Sequence, residues 1–113
     1  MCSQSEVHAI IHELQNRLRA LFPRDDFDVI LFGSYARNEV RESSDIDVMF
    51  LVNAPRQAIV QRHWQIGEAA AEVLMEHGVV VSPIVENRDY FNAHAALLPF
   101  YRNIQREGVR ISA

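Results

Sequence analysis

Lysine is absent from this 113-residue chain, and all eleven of its cationic side chains are arginines. P-loop kinases and ATPases need a lysine that reaches the phosphates of their nucleotide. Ligase-type nucleotidyl transfer needs a lysine amine that forms a covalent adduct. The sequence excludes both classes, so any phosphoryl chemistry has to be direct and assisted by a metal ion.

Cysteine and long apolar runs are also scarce. Cys2 is the single cysteine, so an intrachain disulfide is impossible and a reducing compartment fits. No apolar run approaches the roughly 20 residues of a transmembrane helix. The N-terminal residues lack the basic and then apolar pattern of a secretory signal. We therefore expect a cytoplasmic protein that does not contact a membrane.

The charge balance argues against one further class. The formal net charge is −4, whereas proteins that hold a nucleic-acid backbone depend on clustered cations. We therefore expect no stable nucleic-acid binding. Apolar residues make up 49% of the chain, which is enough for one globular domain spanning residues 1–113.

The most informative segment is residues 31–52, LFGSYARNEVRESSDIDVMFLV. One apolar run ends at Gly33-Ser34, and after ten residues Asp45-Ile46-Asp47 leads into a second. The side-chain period of two in a strand places both aspartates on one face. At a separation of roughly 6 Å and an effective dielectric of about 20, their repulsion is on the order of 2–3 kcal/mol. Mg²⁺, which prefers carboxylate and phosphate oxygens, would turn this cost into a binding site.

The Gly-Ser half of the segment suits a phosphate. Gly33 allows a sharp turn and a close approach to a ligand. We predict that Ser34 caps a short helix through Arg37, whose first amides would face the phosphates. Arg37 and Ser44 are further candidates for phosphate contact, although Ser44 could equally serve only the entry to the strand. The alternative is a turn glycine and a hydrated acidic pair in a hairpin-like connection. The spacing, with an apolar strand on each side, favours a metal–triphosphate site.

Apolar periodicity predicts the remaining elements. They are a helix over 3–21 with a capping box at Ser3 and Glu6, a strand over 27–32, a long helix from Pro55 that Gly78 ends, a strand over 79–85, helical pieces over 87–108 broken near Pro99, and a short strand over 109–111. We place Trp64 in the core rather than at an interface. The order implies an α/β (α+β) fold with a small mixed β-sheet flanked by helices.

The segment Gly33-Ser34, ten residues, Asp45-Ile46-Asp47 resembles the signature of the DNA polymerase β-like nucleotidyltransferase superfamily. Within it, the sequence looks most like the minimal nucleotidyltransferases, small single-domain proteins often encoded beside a HEPN-domain toxin. The ending from Pro99 to Gly108 is similar to the tail of many of them. The resemblance implies the nucleotidyltransferase fold and transfer of AMP from ATP to a hydroxyl of a partner protein. That partner would be a HEPN toxin and this chain its antitoxin.

The resemblance also implies roles for the site residues. Asp45 and Asp47 would be catalytic and hold Mg²⁺ against the phosphates of ATP. The remaining candidates would bind the nucleotide; they are Gly33, Ser34, Arg37 and Ser44.

One position departs from the superfamily pattern. Many members carry a third carboxylate on the strand predicted over 79–85, and the matching place here is Ser82. Glu86 lies about 13 Å further along the strand and does not replace it. Pro83 removes a ladder donor, which favours an edge strand. A binding-only antitoxin of the same fold and an aminoglycoside-type small-molecule transferase therefore stay open as alternatives, as does a homo-oligomer.

Overall fold

The computed structural model describes residues 2–41 and 44–111. In the described chain the elements follow in this order: α1 (Gln4–Arg19), β1 (Asp28–Phe32), a 3₁₀ turn (Gly33–Tyr35), β2 (Ile46–Val52), α2 (Arg56–Gln61), α3 (His63–His77), β3 (Val81–Asn87), α4 (Arg88–His94), α5 (Pro99–Glu107) and β4 (Val109–Ile111). The predicted α/β class is confirmed.

The four strands form one mixed sheet in the order β3-β2-β1-β4. β1 pairs antiparallel with β2 and with β4, whereas β2 and β3 are parallel. The predicted small mixed sheet is therefore confirmed, including the short last strand. Pro83 lies in β3, which is an edge strand. Proline is tolerated in an edge strand, because one side of the strand has no neighbour that needs its N–H group.

Strand β2 is central, and every residue in it except Asp47 is buried. Alternation sends Val48 and Phe50 to the face covered by α1, α2 and α3, and Met49 and Leu51 to the face covered by α4 and α5. Asp47 shares the parity of Met49 and Leu51. The acidic end of β2 is therefore directed toward the α5 side of the sheet.

Helix α1 begins as its sequence predicts. The Ser3 hydroxyl accepts a hydrogen bond from the Glu6 amide, and the Glu6 carboxylate accepts one from the Ser3 amide. This reciprocal arrangement satisfies two amides that the helix itself leaves without partners. Gly78 ends α3 in the left-handed conformation, with φ 68°. Both predicted helix signals are confirmed.

Three details of the prediction are wrong. The helix predicted from Pro55 to Gly78 is two helices, because Arg62 leaves helical geometry at φ −102° and ψ 10°. Trp64 is 76% exposed instead of lying in the core, because it falls outside the buried stripe of Ile59, Ile66 and Val73. Strand β3 runs two residues later than predicted and includes Glu86 and Asn87.

Within the described ranges, no helix combines the length and the apolar character needed to cross a bilayer.

Candidate active site

The 3₁₀ turn after β1 brings Gly33 against the acidic end of β2. Phe32 and Asp47 are paired in the β1–β2 ladder, so the residue after Phe32 faces the Asp47 side chain. Gly33 has φ 73°, and a Cβ placed on it would overlap Oδ2 of Asp47 and lie 3.1 Å from Cγ. Only glycine suits this position, because other residues are strained at this φ and their Cβ would overlap the Asp47 carboxylate. The turn and the carboxylate are therefore in direct contact.

Ser34 does not cap this turn as predicted. Phe32 occupies the N-cap position and makes no side-chain cap, and Ser34 lies inside the turn. The Gly33 carbonyl accepts hydrogen bonds from the amides of Ala36 and Arg37, which closes the turn without the Ser34 hydroxyl. Because the hydroxyl is not used as a cap, it is available to a ligand.

A cavity of about 530 Å³ opens where the turn, β2, β3 and α5 meet. This volume is within the range of small-molecule sites. Four of the six predicted site residues line it, namely Gly33, Ser34, Arg37 and Asp47. The other lining residues are Phe32, Ser82, Pro83, Ile84, Phe100, Asn103, Ile104 and Glu107.

The two aspartates differ in environment. Asp47 is partly buried, whereas Asp45 is exposed just before β2. Burial raises the pKa of the Asp47 carboxyl, the nearby Asp45 charge raises it further, and the Arg37 guanidinium opposes the rise. A divalent cation would favour the ionised form of Asp47 and offset its repulsion by Asp45.

Arg37 supplies positive charge to the cavity and is held between two carboxylates. Its Nε lies 3.2 Å from Glu39, and its NH1 group lies 3.9 Å from Glu107. The side chain remains 43% exposed. A phosphate can therefore reach the guanidinium without unpacking the protein.

Ser44 lies directly before the acidic pair. Its Oγ accepts a hydrogen bond of 2.8 Å from the Arg41 amide, and its own amide donates to the Arg41 carbonyl. Ser44 is outside the set of residues that line the cavity. Its contact with a nucleotide stays a prediction. Because the Oγ atom already accepts a hydrogen bond, Ser44 would make that contact by donating its hydroxyl proton to a phosphate oxygen.

Ser82 lies directly beside Asp47 in the parallel ladder of β2 and β3 and also lines the cavity. The place expected for a third carboxylate is therefore next to the acidic pair and holds a hydroxyl. Glu86 is paired with Leu51, at the other end of the strands. Its carboxylate is buried and accepts hydrogen bonds from Arg56, Tyr101 and the Asn87 amide. As predicted, it does not take over the position of Ser82.

Sequence reasoning missed the wall that α5 contributes. Phe100, Asn103 and Glu107 all line the cavity. Their spacing of three and four residues places them on one helix face, and the rings of Phe100 and Phe32 meet edge to face at 5.9 Å. The spacing in the sequence indicates that these residues share a helix face, but it does not indicate which side of the sheet α5 covers.

The donor set fits the expected cofactor. Carboxylate oxygens are hard ligands that Mg²⁺ prefers, and it normally completes its shell with water and substrate phosphates. Asp47 lines the cavity together with Gly33, Ser34 and Arg37. Asp45 is outside that lining, but its charge acts on Asp47, and the two carboxylates would hold the ion together. When bound, Mg²⁺ would neutralise phosphate charge and polarise the reacting phosphorus.

The fold, the Gly-Ser turn and the acidic strand end define a nucleotidyltransferase. The family model described as "Nucleotidyltransferase domain" matches residues 11–107. The chain belongs to this family, and the resemblance found in the sequence is confirmed.

Similar proteins are named as protein adenylyltransferases. "Putative protein adenylyltransferase MJ0604" of Methanocaldococcus jannaschii is 32% identical over 98 residues, which cover 87% of this chain and 90% of that protein. "Putative protein adenylyltransferase MJ1305" of the same organism is 37% identical over 82 residues, covering 71% of this chain and 55% of the relative. A third relative, "Putative protein adenylyltransferase MJ0141" of the same organism, is 33% identical over 81 residues, which cover 71% of this chain and 79% of that protein.

Proposed function

We propose that this nucleotidyltransferase transfers AMP from ATP to a hydroxyl of a partner protein in a Mg²⁺-dependent reaction. The observation that supports the proposal most strongly is the convergence of Gly33, Ser34, Arg37 and Asp47 on one cavity. The relatives named as protein adenylyltransferases support both the nucleotide and the class of acceptor.

Each residue has a defined task in this reaction. Asp45 and Asp47 would hold Mg²⁺ against the phosphates, and the turn at Gly33 lets the triphosphate approach the backbone closely. Ser34 donates its hydroxyl proton to a phosphate oxygen. Arg37 binds the pyrophosphate that leaves, and its charge offsets the negative charge that develops there. The acceptor oxygen attacks the α-phosphorus, and the bond from that phosphorus to the bridging oxygen breaks.

The acceptor is proposed to arrive on another protein. The described elements form one layered domain around the sheet, and the cavity lies at its surface between β2 and α5. A side-chain hydroxyl of a docked partner can enter such a site. Following the resemblance, we assign the role of partner to a HEPN toxin and that of antitoxin to this chain, both in the cytoplasm.

Transfer can be tested with ATP labelled at the α-phosphate, Mg²⁺ and the protein encoded next to this one. We expect label on the partner with the wild-type chain and none with Asp47→Asn. Asp26→Asn is the matched control, because Asp26 is an exposed carboxylate outside the cavity lining. Equal labelling by wild type and Asp47→Asn would contradict the proposal.

One observation favours a second candidate. Ser82 beside Asp47 leaves the third acidic position without a carboxylate, which supports a chain of this fold that neutralises its partner by binding alone. That function predicts full neutralisation by Asp47→Asn and no label on the partner. Label on an added aminoglycoside, with none on protein, would instead identify a small-molecule transferase.

A further inference from the structure

Helix α5 places a carboxylate in the cavity that the acidic pair does not account for. Glu107, the last residue of α5, lines the cavity together with Asp47 and Arg37. Its side chain is 41% exposed, so it is open to solvent and to a ligand. Its neighbours are the Arg37 NH1 group at 3.9 Å and the Arg106 NH2 group at 3.6 Å.

Both ends of α5 are fixed to the sheet, which fixes Glu107. Gly108 follows it directly, and a Cβ on Gly108 would overlap Ile30 Cγ2 and the Ile104 carbonyl oxygen. Toward the start of the helix, the Tyr101 hydroxyl donates to the buried Glu86 carboxylate on β3. A carboxylate held on a docked helix is a better defined functional group than one on a loop.

Glu107 is linked to the acidic pair through Arg37. The charge that acts on Asp47 comes from Asp45 and Arg37, whereas Glu107 contacts the Arg37 side chain. The guanidinium therefore lies between the strand carboxylates and the helix carboxylate. This position suits the other reactant, the acceptor, better than the metal ion.

We propose that Glu107 is the general base of the site and replaces the carboxylate missing at Ser82. This inference depends on the proposed transfer reaction. The acceptor hydroxyl gives its proton to the Glu107 carboxylate while its oxygen bonds to the α-phosphorus. The bond between that phosphorus and the leaving pyrophosphate oxygen breaks, and the proton then passes from Glu107 to solvent.

Binding of ATP itself prepares the base. Before binding, Arg37 is shared by Glu39 and Glu107. Phosphate oxygens compete for the guanidinium and form stronger, bidentate pairs with it. The contact between Arg37 and Glu107 is the longer of the two, so it is the one that gives way. Glu107 is then released toward the acceptor only when the nucleotide is in place.

The test compares Glu107→Gln with Glu39→Gln, which removes the other carboxylate partner of Arg37 outside the cavity. Circular dichroism checks that both variants are folded. Labelled ATP with Mg²⁺ is incubated with the neighbouring protein, and AMP formation with water as acceptor is measured in parallel. We expect Glu107→Gln to lower kcat about 100-fold or more for both acceptors. Its ATP affinity should be unchanged or higher, which separates the loss of a base from the loss of a nucleotide contact.

Other results would overturn this assignment. A Glu107→Gln variant with the wild-type rate contradicts the role as base while leaving the transfer reaction intact. Loss of ATP affinity in both glutamine variants would show that Glu107 only orients Arg37. Loss of Mg²⁺ affinity in Glu107→Gln would make it a metal ligand. Absence of any transfer by the wild type would overturn the reaction and this assignment together.

Discussion

Gly33 is the residue at which backbone conformation and site chemistry depend on each other. Its φ of 73° lies in the left-handed region, and the Asp47 carboxylate lies against its Cα. A larger residue would strain the turn and displace the carboxylate in one step. The glycine is therefore required by its neighbour as well as by its own conformation.

Replacing Gly33 with alanine should reduce AMP transfer at least 100-fold, because the added methyl group displaces Asp47. The left-handed conformation should also cost about 1–2 kcal/mol in the free energy of unfolding. Labelled transfer and urea unfolding measure the two effects. Gly67→Ala is the matched control. It lies in α3 with open space around it, and it should keep full activity and gain about 0.5–1 kcal/mol. A Gly33→Ala chain of normal activity would refute the contact.

Asp47 should lower the stability of the fold when it is ionised. Its pKa is raised, first by burial and then by Asp45. A carboxyl whose pKa is higher in the folded state destabilises that state above the folded pKa and has no such effect below the unfolded value. Asp47→Asn should therefore unfold at a higher urea concentration than wild type near pH 7. The gain should disappear toward pH 3.

Urea midpoints of wild type and Asp47→Asn, measured from about pH 3 to pH 7, test whether the substitution stabilises the fold. Asp26→Asn, at an exposed position, should show no comparable gain at pH 7. A less stable Asp47→Asn at pH 7 would mean that the ionised carboxylate is compensated by contacts stronger than its proximity to Arg37.

At the scale of elements, α5 depends on a buried polar cluster for its position. The Glu86 carboxylate is 5% exposed and binds Tyr101 of α5, Arg56 of α2 and the Asn87 amide. Burial and the neighbouring Glu86 charge raise the pKa of the Tyr101 hydroxyl. The phenol is therefore a donor throughout the physiological range, and the cluster links α2, β3 and α5.

Tyr101→Phe should cost about 1.5–3 kcal/mol in the free energy of unfolding, the usual value for a hydrogen bond to a charged group. It should also slow transfer, because α5 carries one wall of the cavity. Chemical denaturation and the transfer rate measure both. Tyr35→Phe is the matched stability control, since the Tyr35 hydroxyl makes only a 3.5 Å hydrogen bond with the Cys2 amide. If the two variants were equally stable, the hydrogen bond between Tyr101 and Glu86 would not be what holds α5 in position.

Elements with local signals were predictable from the sequence, whereas those set by packing were not. The capping box of α1, the glycine end of α3 and the strands on either side of the Gly-Ser turn depend on neighbours in sequence. The break at Arg62 leaves no mark in the apolar pattern, because Ile59, Ile66 and Val73 are buried at seven-residue spacing across it. Trp64 lies outside that buried face, so its assignment to the core was wrong. The α5 wall depends on which face of the sheet the chain returns to. Tertiary packing decides that.

At the scale of the whole molecule, charge works against the proposed substrate. The chain has a formal charge of −4, and the cavity is lined by Asp47 and Glu107 with Arg37 as its only cation among the described lining residues. A triphosphate brings further negative charge to the same place. The metal ion is therefore expected to decide whether the nucleotide binds at all.

ATP should raise the unfolding temperature only in the presence of Mg²⁺. At a nucleotide concentration about 100 times Kd the stabilisation is about 2.7 kcal/mol, or roughly 10 °C for a domain of this size. EDTA should abolish the shift, and Asp47→Asn should show none in either condition. Differential scanning fluorimetry is sufficient for the measurement. An equal shift with EDTA and with Mg²⁺ would show that the protein binds the nucleotide without an ion.

The pairing of Phe32 with Asp47 has a consequence for how such proteins are found. The ladder between β1 and β2 brings the Gly-Ser turn to the acidic pair, whatever the composition of the segment that joins them. Doubling that connection would cost only about 0.6 kcal/mol in closure entropy. The ten-residue interval marks the family in the sequence, whereas the register of the ladder brings the two halves of the site together. A chain with a longer or shorter connection could therefore form the same site, provided that the ladder keeps this register.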